Sequence, residues 1–435
     1  MKPINVGLLG TGTVGGGTFK VLQRNSEEIS RRAGCTIRIA VVADKDVVRA
    51  KAVAGDAARV TADAFEVVND PQVDVVVELI GGYTIAKELM LKAIANGKHV
   101  VTANKALLAI HGNEIFSAAR KQGVMVAFEA AVGGGIPIIK SLREGLSANR
   151  IEWIAGIING TSNFILSEMR AKGAAFADVL KEAQNKGYAE ADPTFDIEGV
   201  DAAHKLAIMA AIGFGIPVQF DKAYVEGISK LAQQDIRYAE ELGYRIKLLG
   251  IAKRKAAGFE LRVHPTLIPA RQLIANVEGV MNAILVKGDA VGQTMSYGAG
   301  VCAEPTASAV VADLVDVARA LTADPEHRVP HLAFQHDQLS NVPILPMGEV
   351  ETSYYLRLRV ADKAGVLADI TRILADQAIS IEALVQKPHD GEEQVDIILL
   401  THLTREKKID AAIRSIEALP VVSGKITRIR MEALQ

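Results

Sequence analysis

The fold of this chain is decided by the stretch Ile4-Asn5-Val6-Gly7-Leu8-Leu9-Gly10-Thr11-Gly12-Thr13-Val14-Gly15. Residues 4–9 are mostly apolar, as a strand buried on both faces should be. In the GxGxxG order that follows, the first glycine permits a tight turn and the second lets the backbone approach a pyrophosphate. The third lets a helix pack closely on the strand. The stretch therefore predicts a Rossmann-type unit that binds a dinucleotide at a helix N-terminus.

Further short apolar segments continue this pattern, with helix-like stretches between them. Strands are predicted at residues 36–42, 73–78, 99–102 and 124–128, and a helix at residues 85–96. Such alternation is typical of an α/β fold with a parallel sheet covered by helices. We expect residues 1–135 to form the nucleotide-binding domain, completed by a helix at residues 304–322.

The rest of the chain predicts two further units and a linker. Residues 136–303 mix strands with longer helices, which indicates an α+β domain for substrate binding and dimerisation. Prolines among polar residues mark residues 323–348 as a linker. Residues 349–435 have the order β-α-β-β-α-β, which predicts a C-terminal ferredoxin-like domain.

The composition argues against several classes of partner. A net charge of −2 and 5% aromatic residues offer little to nucleic acid. No apolar run approaches the ~18 residues of a membrane span. The two cysteines are far apart, which favours the reducing cytoplasm over a disulfide framework or a CxxC site. His327 and His331 have a metal-like interval, but Pro330 interrupts the helix that would align them.

The choice of cofactor depends on the end of the second predicted strand. Asp44 there would bind the adenosine ribose hydroxyls and repel a 2′-phosphate, which favours NAD. Lys45 and Arg49 close behind could instead receive the 2′-phosphate of NADP. Asp44 could also be a solvated loop acid, because it lies more than the usual ~20 residues beyond the glycines. NAD and NADP both remain open.

Lysines and acids form the candidate catalytic group. Lys105 comes just after the strand that ends at Thr102, where ligands bind in open α/β sheets. Asp201 and Lys205 share one helix face, and by themselves they fit a surface ion pair. Acids crowd residues 190–201, the acidic segment, which suggests a pocket for an ammonium group: Glu190, Asp192, Asp196 and Asp201.

Residues 183–205, from Ala-Gln-Asn-Lys-Gly to Asp-Ala-Ala-His-Lys, resemble the signature of homoserine dehydrogenases almost position by position. The Gly10 loop, Lys105, residues 156–163 and the Pro-Thr-Ala-Ser-Ala-Val run at 305–310 also look like that family. The likeness covers nearly the whole chain. The tail resembles an ACT domain, with Asp-Lys-Ala-Gly-Val-Leu at residues 362–367 at its first strand-to-helix turn.

This resemblance implies reversible NAD(P)-dependent reduction of L-aspartate 4-semialdehyde to L-homoserine, in threonine and methionine biosynthesis. Lys205 would be the proton donor, and Lys105 would lie beside the substrate and the nicotinamide. The implied substrate-binding residues are Glu190, Asp196, Asp201, Gly160 and Thr161. Beyond the glycine loop and the Asp44 region, the implied cofactor-binding residues are Thr102, Lys105, Gly187, Glu190, Gly300 and Cys302.

The same resemblance also bears on two loops. Residues 129–137 resemble a loop whose carbonyl oxygens hold a monovalent cation, usually sodium, although a glycine hinge is an alternative. The implied ligands are Glu129, Val132, Gly134 and Ile136. Where the family usually has Gly-x-Gly-Ala-Gly-Gly, this chain has Gly-Ala-Gly-Val-Cys-Ala at residues 298–303. How Cys302 fits beside the nucleotide is therefore an open question.

The ACT resemblance implies regulation by a small amino acid, and the pathway product threonine is the expected effector. Backbone NH groups at Gly365 and Val366, close to Asp362, could hold its carboxylate. Such sites commonly form between paired domains, so we expect a homodimer or homotetramer.

Two other interpretations remain at this level. One is a different two-domain oxidoreductase of amino-acid metabolism. A phosphorylating semialdehyde dehydrogenase would need a nucleophilic cysteine, and neither cysteine lies in such a motif. The other is a non-catalytic amino-acid sensor, against which the intact glycine loop and both lysines argue.

Overall fold

The first unit contains a parallel sheet in the computed structural model, which describes residues 3–300, 302–387 and 393–435. Its strands are β1 (Ile4–Leu9), β2 (Ile37–Ala43), β3 (Arg59–Thr61), β4 (Val75–Glu78), β5 (His99–Thr102) and β6 (Val126–Ala127). Its helices are α1 (Thr13–Arg24), α2 (Ser26–Ala33), α3 (Val47–Ala54), α4 (Ala64–Asn69), α5 (Ile85–Ala95) and α6 (Lys105–Lys121). The strand order is β3-β2-β1-β4-β5-β6, the order of dinucleotide-binding sheets. The Rossmann-type prediction is confirmed, although the short β3 was not predicted.

The second unit is built on a mixed sheet. Its strands are β7 (Ile151–Ile157), β8 (Tyr224–Val225), β9 (Tyr244–Lys255), β10 (Gly258–Pro269), β11 (Met281–Gly288) and β12 (Gly292–Ala299). Its helices are α7 (Ile138–Lys140), α8 (Gly160–Lys172), α9 (Phe176–Asn185), α10 (Thr194–Ile197), α11 (Val200–Phe214) and α12 (Gln233–Glu241). Helix α13 (Ala303–Ala320) returns to the first unit, where it packs on α1 and contributes to the core around β1.

The C-terminal unit has a ferredoxin-like arrangement. It comprises β13 (Glu351–Ala361), α14 (Val366–Asp376), β14 (Ile381–Lys387), β15 (Gln394–Thr401), β16 (Thr404–Arg405), α15 (Glu406–Glu417) and β17 (Val422–Met431). Its main strands lie in the order β17-β13-β15-β14, and both helices pack against the core beneath β13. This confirms the predicted C-terminal fold.

The sheet of the C-terminal unit continues the sheet of the second unit. The full order is β12-β11-β7-β9-β10-β17-β13-β15-β14. Strand β17 runs parallel to β10, with Arg430 opposite Thr266 and Met431 opposite Leu267. Just beyond β17, the Glu432 carboxylate pairs with the buried Arg262 on β10. The last strand of the chain therefore completes the middle of the second sheet.

Helix α11 is the central helix of the second unit. Every residue after Val200 is buried, so the helix is enclosed all round. Charged side chains in such a helix need partners, because an unpaired buried charge is costly. Asp201 and Lys205 near its start therefore mark a site.

Among the described residues, no helix is both long and apolar enough to cross a membrane.

Candidate functional site

Three helix starts converge on one site. Helix α6 begins at Lys105, and Asn104 caps it by accepting from the amide of Leu107 at 3.1 Å. Helix α8 follows β7 and is capped by Asn159, whose Oδ1 accepts from the amide of Ser162 at 2.8 Å. The first turn of α11 carries Asp201. The two lysines predicted to act together thus reach one aspartate from separate units.

Asp201 joins the two lysines. Lys105 Nζ lies 2.8 Å from Asp201 Oδ1, and Lys205 Nζ lies 2.6 Å from Asp201 Oδ2. Lys205 Nζ also donates to the carbonyl of Ile158 at 2.8 Å. The Lys205 side chain is only 5% exposed, so the surface ion pair considered above is wrong. We call Lys105, Asp201 and Lys205 the lysine–aspartate cluster.

An asparagine ties a second acid to the cluster. Asn159 Nδ2 donates to Asp201 Oδ2 at 2.8 Å and to Asp196 Oδ1 at 2.7 Å. Neither Asn159 nor the Ile158 carbonyl was predicted as a site group. An asparagine before a helix indicates an N-cap, and nothing in the local sequence shows that its amide also bridges two acids from the acidic segment.

The electrostatics differ between the two lysines. Burial lowers the pKa of Lys205, and Asp201 offsets this only in part. Burial also opposes the charge on Lys105, but the attraction of Asp201 outweighs it and raises the pKa. Burial would raise the pKa of Asp201, yet Lys205 and Lys105 hold it well below its usual range. Asp201 is therefore a fixed anion, and Lys205 is the more acidic of the two ammonium groups.

The other predicted substrate-binding residues differ in their burial and in their contacts. Asp196 is partly buried, and burial and the charge of Asp201 raise its pKa. Glu190 is exposed, at a position where its charge acts on Lys105. Thr161 donates from Oγ1 to the carbonyl of Tyr188 at 2.7 Å, and Gly160 is buried against Val280. Gly187, which was predicted to bind the cofactor, is exposed in the turn after α9.

The glycine loop fits the phosphates of a dinucleotide. Gly10 has a φ of +92°, and a Cβ at Gly15 would lie 2.0 Å from the Gly10 carbonyl oxygen. Space is open around Gly12, the residue before α1. No side chain in the described part of the chain caps this end of α1, so its amides are available to an anion. Thr13 and Val14 lie in that first turn.

Asp44 is bound to the glycine loop. Its Oδ2 accepts from the amide and hydroxyl of Thr11 at 2.7 and 2.6 Å, and its carboxylate pairs with Arg49 at 2.9 Å. Burial opposes its ionisation, but these hydrogen bonds hold its pKa well below the usual range. Its side chain is 8% exposed, so the interpretation as a solvated acid is wrong. Lys45 is exposed beside it.

The other predicted cofactor-binding residues in this region lie at the end of β5 and in the loop before α13. The Thr102 hydroxyl donates to Glu78 at 2.9 Å. Cys302 is exposed and has a φ of +113° and a ψ of 159°, a region almost reserved for glycine that costs about 1–3 kcal/mol. A Cβ at Gly300 would lie 2.0 Å from Asn282 Nδ2. The Asn282 amide is buried without a partner among the described residues, so an unsatisfied polar group adjoins this loop.

The predicted cation loop is closed and buried. The Glu129 carboxylate accepts from the amides of Ile139 and Lys140 at 2.9 and 2.7 Å, which leaves its carbonyl as the possible ligand. Val132 and Ile136 are buried, and Gly134 has a φ of +58°. Within the described ranges, His, Cys, Asp and Glu form no group that could hold a metal ion.

The regulatory candidates lie at the start of α14. Gly365 precedes the helix with a φ of +94°, and Val366 is buried. Asp362 is exposed and accepts from Gln386 at 3.3 Å.

Comparisons with known proteins bear on the same residues. Residues 10–129 match the family described as homoserine dehydrogenase, NAD binding domain, and residues 137–315 match homoserine dehydrogenase. A homoserine dehydrogenase of Pseudomonas aeruginosa is 64% identical over the whole of both chains. The chain belongs to the homoserine dehydrogenase family. It is an NAD(P)-dependent oxidoreductase, and residues 354–421 match the ACT domain.

Solved structures agree with this assignment. The crystal structure of a homoserine dehydrogenase from Thiobacillus denitrificans is 70% identical, with a TM-score of 0.96 and coverage of 100% of this chain and 99% of that one. The Staphylococcus aureus homoserine dehydrogenase is 32% identical over both full chains, with a TM-score of 0.77. A hyperthermophilic archaeal homoserine dehydrogenase, solved in complex with NADPH, is 25% identical, covers 73% of this chain and 98% of its own, and has a TM-score of 0.63. The resemblance predicted from residues 183–205 is thus confirmed.

Proposed function

We propose that the lysine–aspartate cluster performs the homoserine dehydrogenase reaction, with Lys205 as proton donor and Lys105 beside the substrate. The observation that supports this most directly is the pair of lysines held by one buried aspartate. A bound nicotinamide dinucleotide would supply or accept the hydride. Absorbance of the reduced cofactor, followed with L-homoserine and with L-aspartate 4-semialdehyde, tests the activity. Absence of turnover in both directions would overturn the proposal.

The cluster suits a charge that develops on the carbonyl oxygen during reduction. Two N–H groups of the Lys205 ammonium bind Asp201 and Ile158, which leaves the third for the substrate oxygen. A fixed ammonium stabilises negative charge there and can transfer a proton. Its lowered pKa favours that transfer, and in the oxidising direction the neutral amine receives the proton back. Glu190 and Asp196 would bind the substrate ammonium.

For the cofactor, we propose that NAD is used well, alongside NADP. Replacing Asp44 with asparagine removes the charge that repels a 2′-phosphate and leaves Arg49 without its main partner. We expect Asp44→Asn to shift the ratio of kcat/KM towards NADP by about tenfold, or ~1.4 kcal/mol. Steady-state kinetics with both cofactors measure this. A wild-type preference for NADP above about 100-fold would contradict the proposal.

We also propose that carbonyls of Glu129, Val132, Gly134 and Ile136 hold a monovalent cation such as sodium. Carbonyl oxygens suit hard cations, and the glycines permit the turn. Exchange of sodium for a bulky organic cation at constant ionic strength should lower the melting temperature and the activity. Unchanged values would refute a cation site.

For regulation, we propose that threonine binds at Asp362, Gly365 and Val366 between paired C-terminal units of a dimer or tetramer. Asp362→Ala should raise the threonine concentration that gives half-inhibition by about tenfold or more, because a charge-assisted bond to the ammonium is lost. Asp376→Ala, at the far end of α14, is the matched control. Equal inhibition of both variants and wild type, or the absence of threonine inhibition, would contradict the proposal.

We retain the predicted units as a proposal: residues 1–135 with the helix near 304–322, residues 136–303, a linker at 323–348 and residues 349–435. The linker residues support this division because they run beside β10. The amide of Leu345 donates to the carbonyl of Phe259 at 2.7 Å. Because β17 also pairs with β10, point variants test regulation more cleanly than deletion of the last unit.

A further inference from the structure

The buried end of β17 carries an arginine that belongs to the C-terminal unit but bonds outside it. Arg430 Nε donates to Glu406 Oε2 at 3.0 Å within its own unit. Its Nη1 donates to Glu226 Oε2 at 2.8 Å, and its Nη2 donates to the Tyr224 hydroxyl at 3.0 Å. Arg430 is fully buried, so these partners are required to offset the loss of hydration.

The segment that receives Arg430 is packed tightly on the acidic segment. The Glu226 amide donates to Val263 on β10 at 2.8 Å, and the Ile228 amide donates to the Ile197 carbonyl at 2.8 Å. A Cβ at Gly227 would lie 2.4 Å from both Glu198 Cα and the Ile197 oxygen. The backbone at 226–228 therefore cannot shift without moving residues 197–198.

Residues 197–199 form the turn between the two acids of the active site. Asp196 precedes the turn, and Asp201 follows it in the first turn of α11. Gly199 has a φ of +81°, and a Cβ there would meet Val225 and Val263 at 3.3 and 3.2 Å. The same strands that hold Glu226 thus also limit where this turn can lie.

We propose that Arg430 is a positioning residue for the substrate. Acting through Glu226, it fixes the turn at residues 197–199 and so places Asp196 and Asp201 for binding. The C-terminal unit thereby supports the active site through Glu226 and this turn. This inference rests on the proposed role of the acidic segment in substrate binding.

Two similar ion pairs at the β10–β17 junction allow a matched comparison. Glu226 pairs with Arg430 and adjoins the acidic segment, whereas Glu432 pairs with Arg262 on β10 and Lys253 on β9. Glu226→Gln keeps the Arg430–Glu406 pair, so the fold retains most of the network. Glu432→Gln removes a more deeply buried charge from the same junction, so it serves as the control for loss of stability.

We expect Glu226→Gln to raise KM for homoserine by about tenfold, the loss associated with a hydrogen bond to a charged group, with a smaller change in kcat. The dissociation constant of NADH or NADPH, measured by fluorescence, should stay at the wild-type value. Hydrogen exchange should accelerate at the amides of residues 196–200. Glu432→Gln should change neither KM nor this exchange. Arg430→Lys should retain more substrate affinity than Arg430→Met.

Wild-type KM and exchange in Glu226→Gln would overturn the inference, as would equal effects in Glu226→Gln and Glu432→Gln. Glu190→Gln separates this failure from a failure of the proposed function. A raised KM in Glu190→Gln together with a normal KM in Glu226→Gln would refute only the positioning role. A normal KM in both variants would refute substrate binding by the acidic segment as well.

Discussion

Replacement of Lys205 by alanine is expected to lower kcat by roughly 10²- to 10⁴-fold, the usual share of general acid catalysis, with a smaller effect on KM. In the proposed role, Lys205 stabilises a charge that exists mainly in the transition state. The fold should survive, because Asp201 keeps its 2.8 Å contact with Lys105 and its bond from Asn159. Single-turnover kinetics of the purified variant measure the chemical step directly.

Lys247 provides the matched control for this experiment. It is 2% exposed, donates to the Val277 carbonyl at 2.6 Å, and burial lowers its pKa to about 8. It is thus another buried lysine bonded to a carbonyl, but it lies outside the lysine–aspartate cluster. Lys247→Ala should cost stability and leave kcat near wild type. Near-normal kcat in folded Lys205→Ala would refute the catalytic assignment.

Replacement of Asp201 by asparagine should be nearly as damaging, with a loss in kcat/KM of roughly 10²-fold at neutral pH. It leaves the buried ammonium of Lys205 and the partly exposed ammonium of Lys105 without their shared anion, and breaking a buried pair such as Asp201–Lys205 typically costs about 3–5 kcal/mol. Asp235→Asn is the control, because Asp235 is another buried aspartate and pairs with Arg357 at 2.6 Å. A comparable activity loss in both variants would attribute the effect to stability alone.

The pH profile of Asp201→Asn gives an independent test. In the proposed mechanism the protonated form of Lys205 donates the proton in reduction, so activity should be present below its pKa and be lost above it. Burial lowers that pKa, and the charge of Asp201 opposes the lowering. Removing Asp201 should therefore move the high-pH limb of the reductive kcat/KM to lower pH. An unmoved limb would show that Asp201 does not tune the donor.

Much of the fold could be predicted because local signals were strong. Strand β1 and the glycine loop carry their own turn chemistry, and the apolar segments of β4 and β5 have the length and composition of buried strands. Strand β9 and strand β12 were not predicted, since β9 includes several basic residues and β12 is polar and only half-buried. Their strand character comes from pairing with distant segments.

The kinds of residue in the candidate site could be predicted better than the contacts between them. Lys105 and Lys205 are a hundred residues apart, and only the tertiary fold brings both to Asp201. The Asp201–Lys205 spacing alone favoured a surface pair, because nothing local shows that α11 is enclosed on all sides. Likewise, the C-terminal strand has the pattern of a self-contained unit, and its pairing with β10 depends on residues more than 160 positions earlier.

That pairing also constrains how the chain is made. The ribosome synthesises β10 long before β17. Until β17 and the residue after it are made, Arg262 and Lys253 of the second unit lack the carboxylate of Glu432. Unpaired strand edges and uncompensated charges are the features that expose folding intermediates to aggregation and to chaperones. Synthesis must therefore proceed past residue 432 before the second unit can close. We expect a chain that terminates before residue 432 to be damaged as severely as one with an error in its interior.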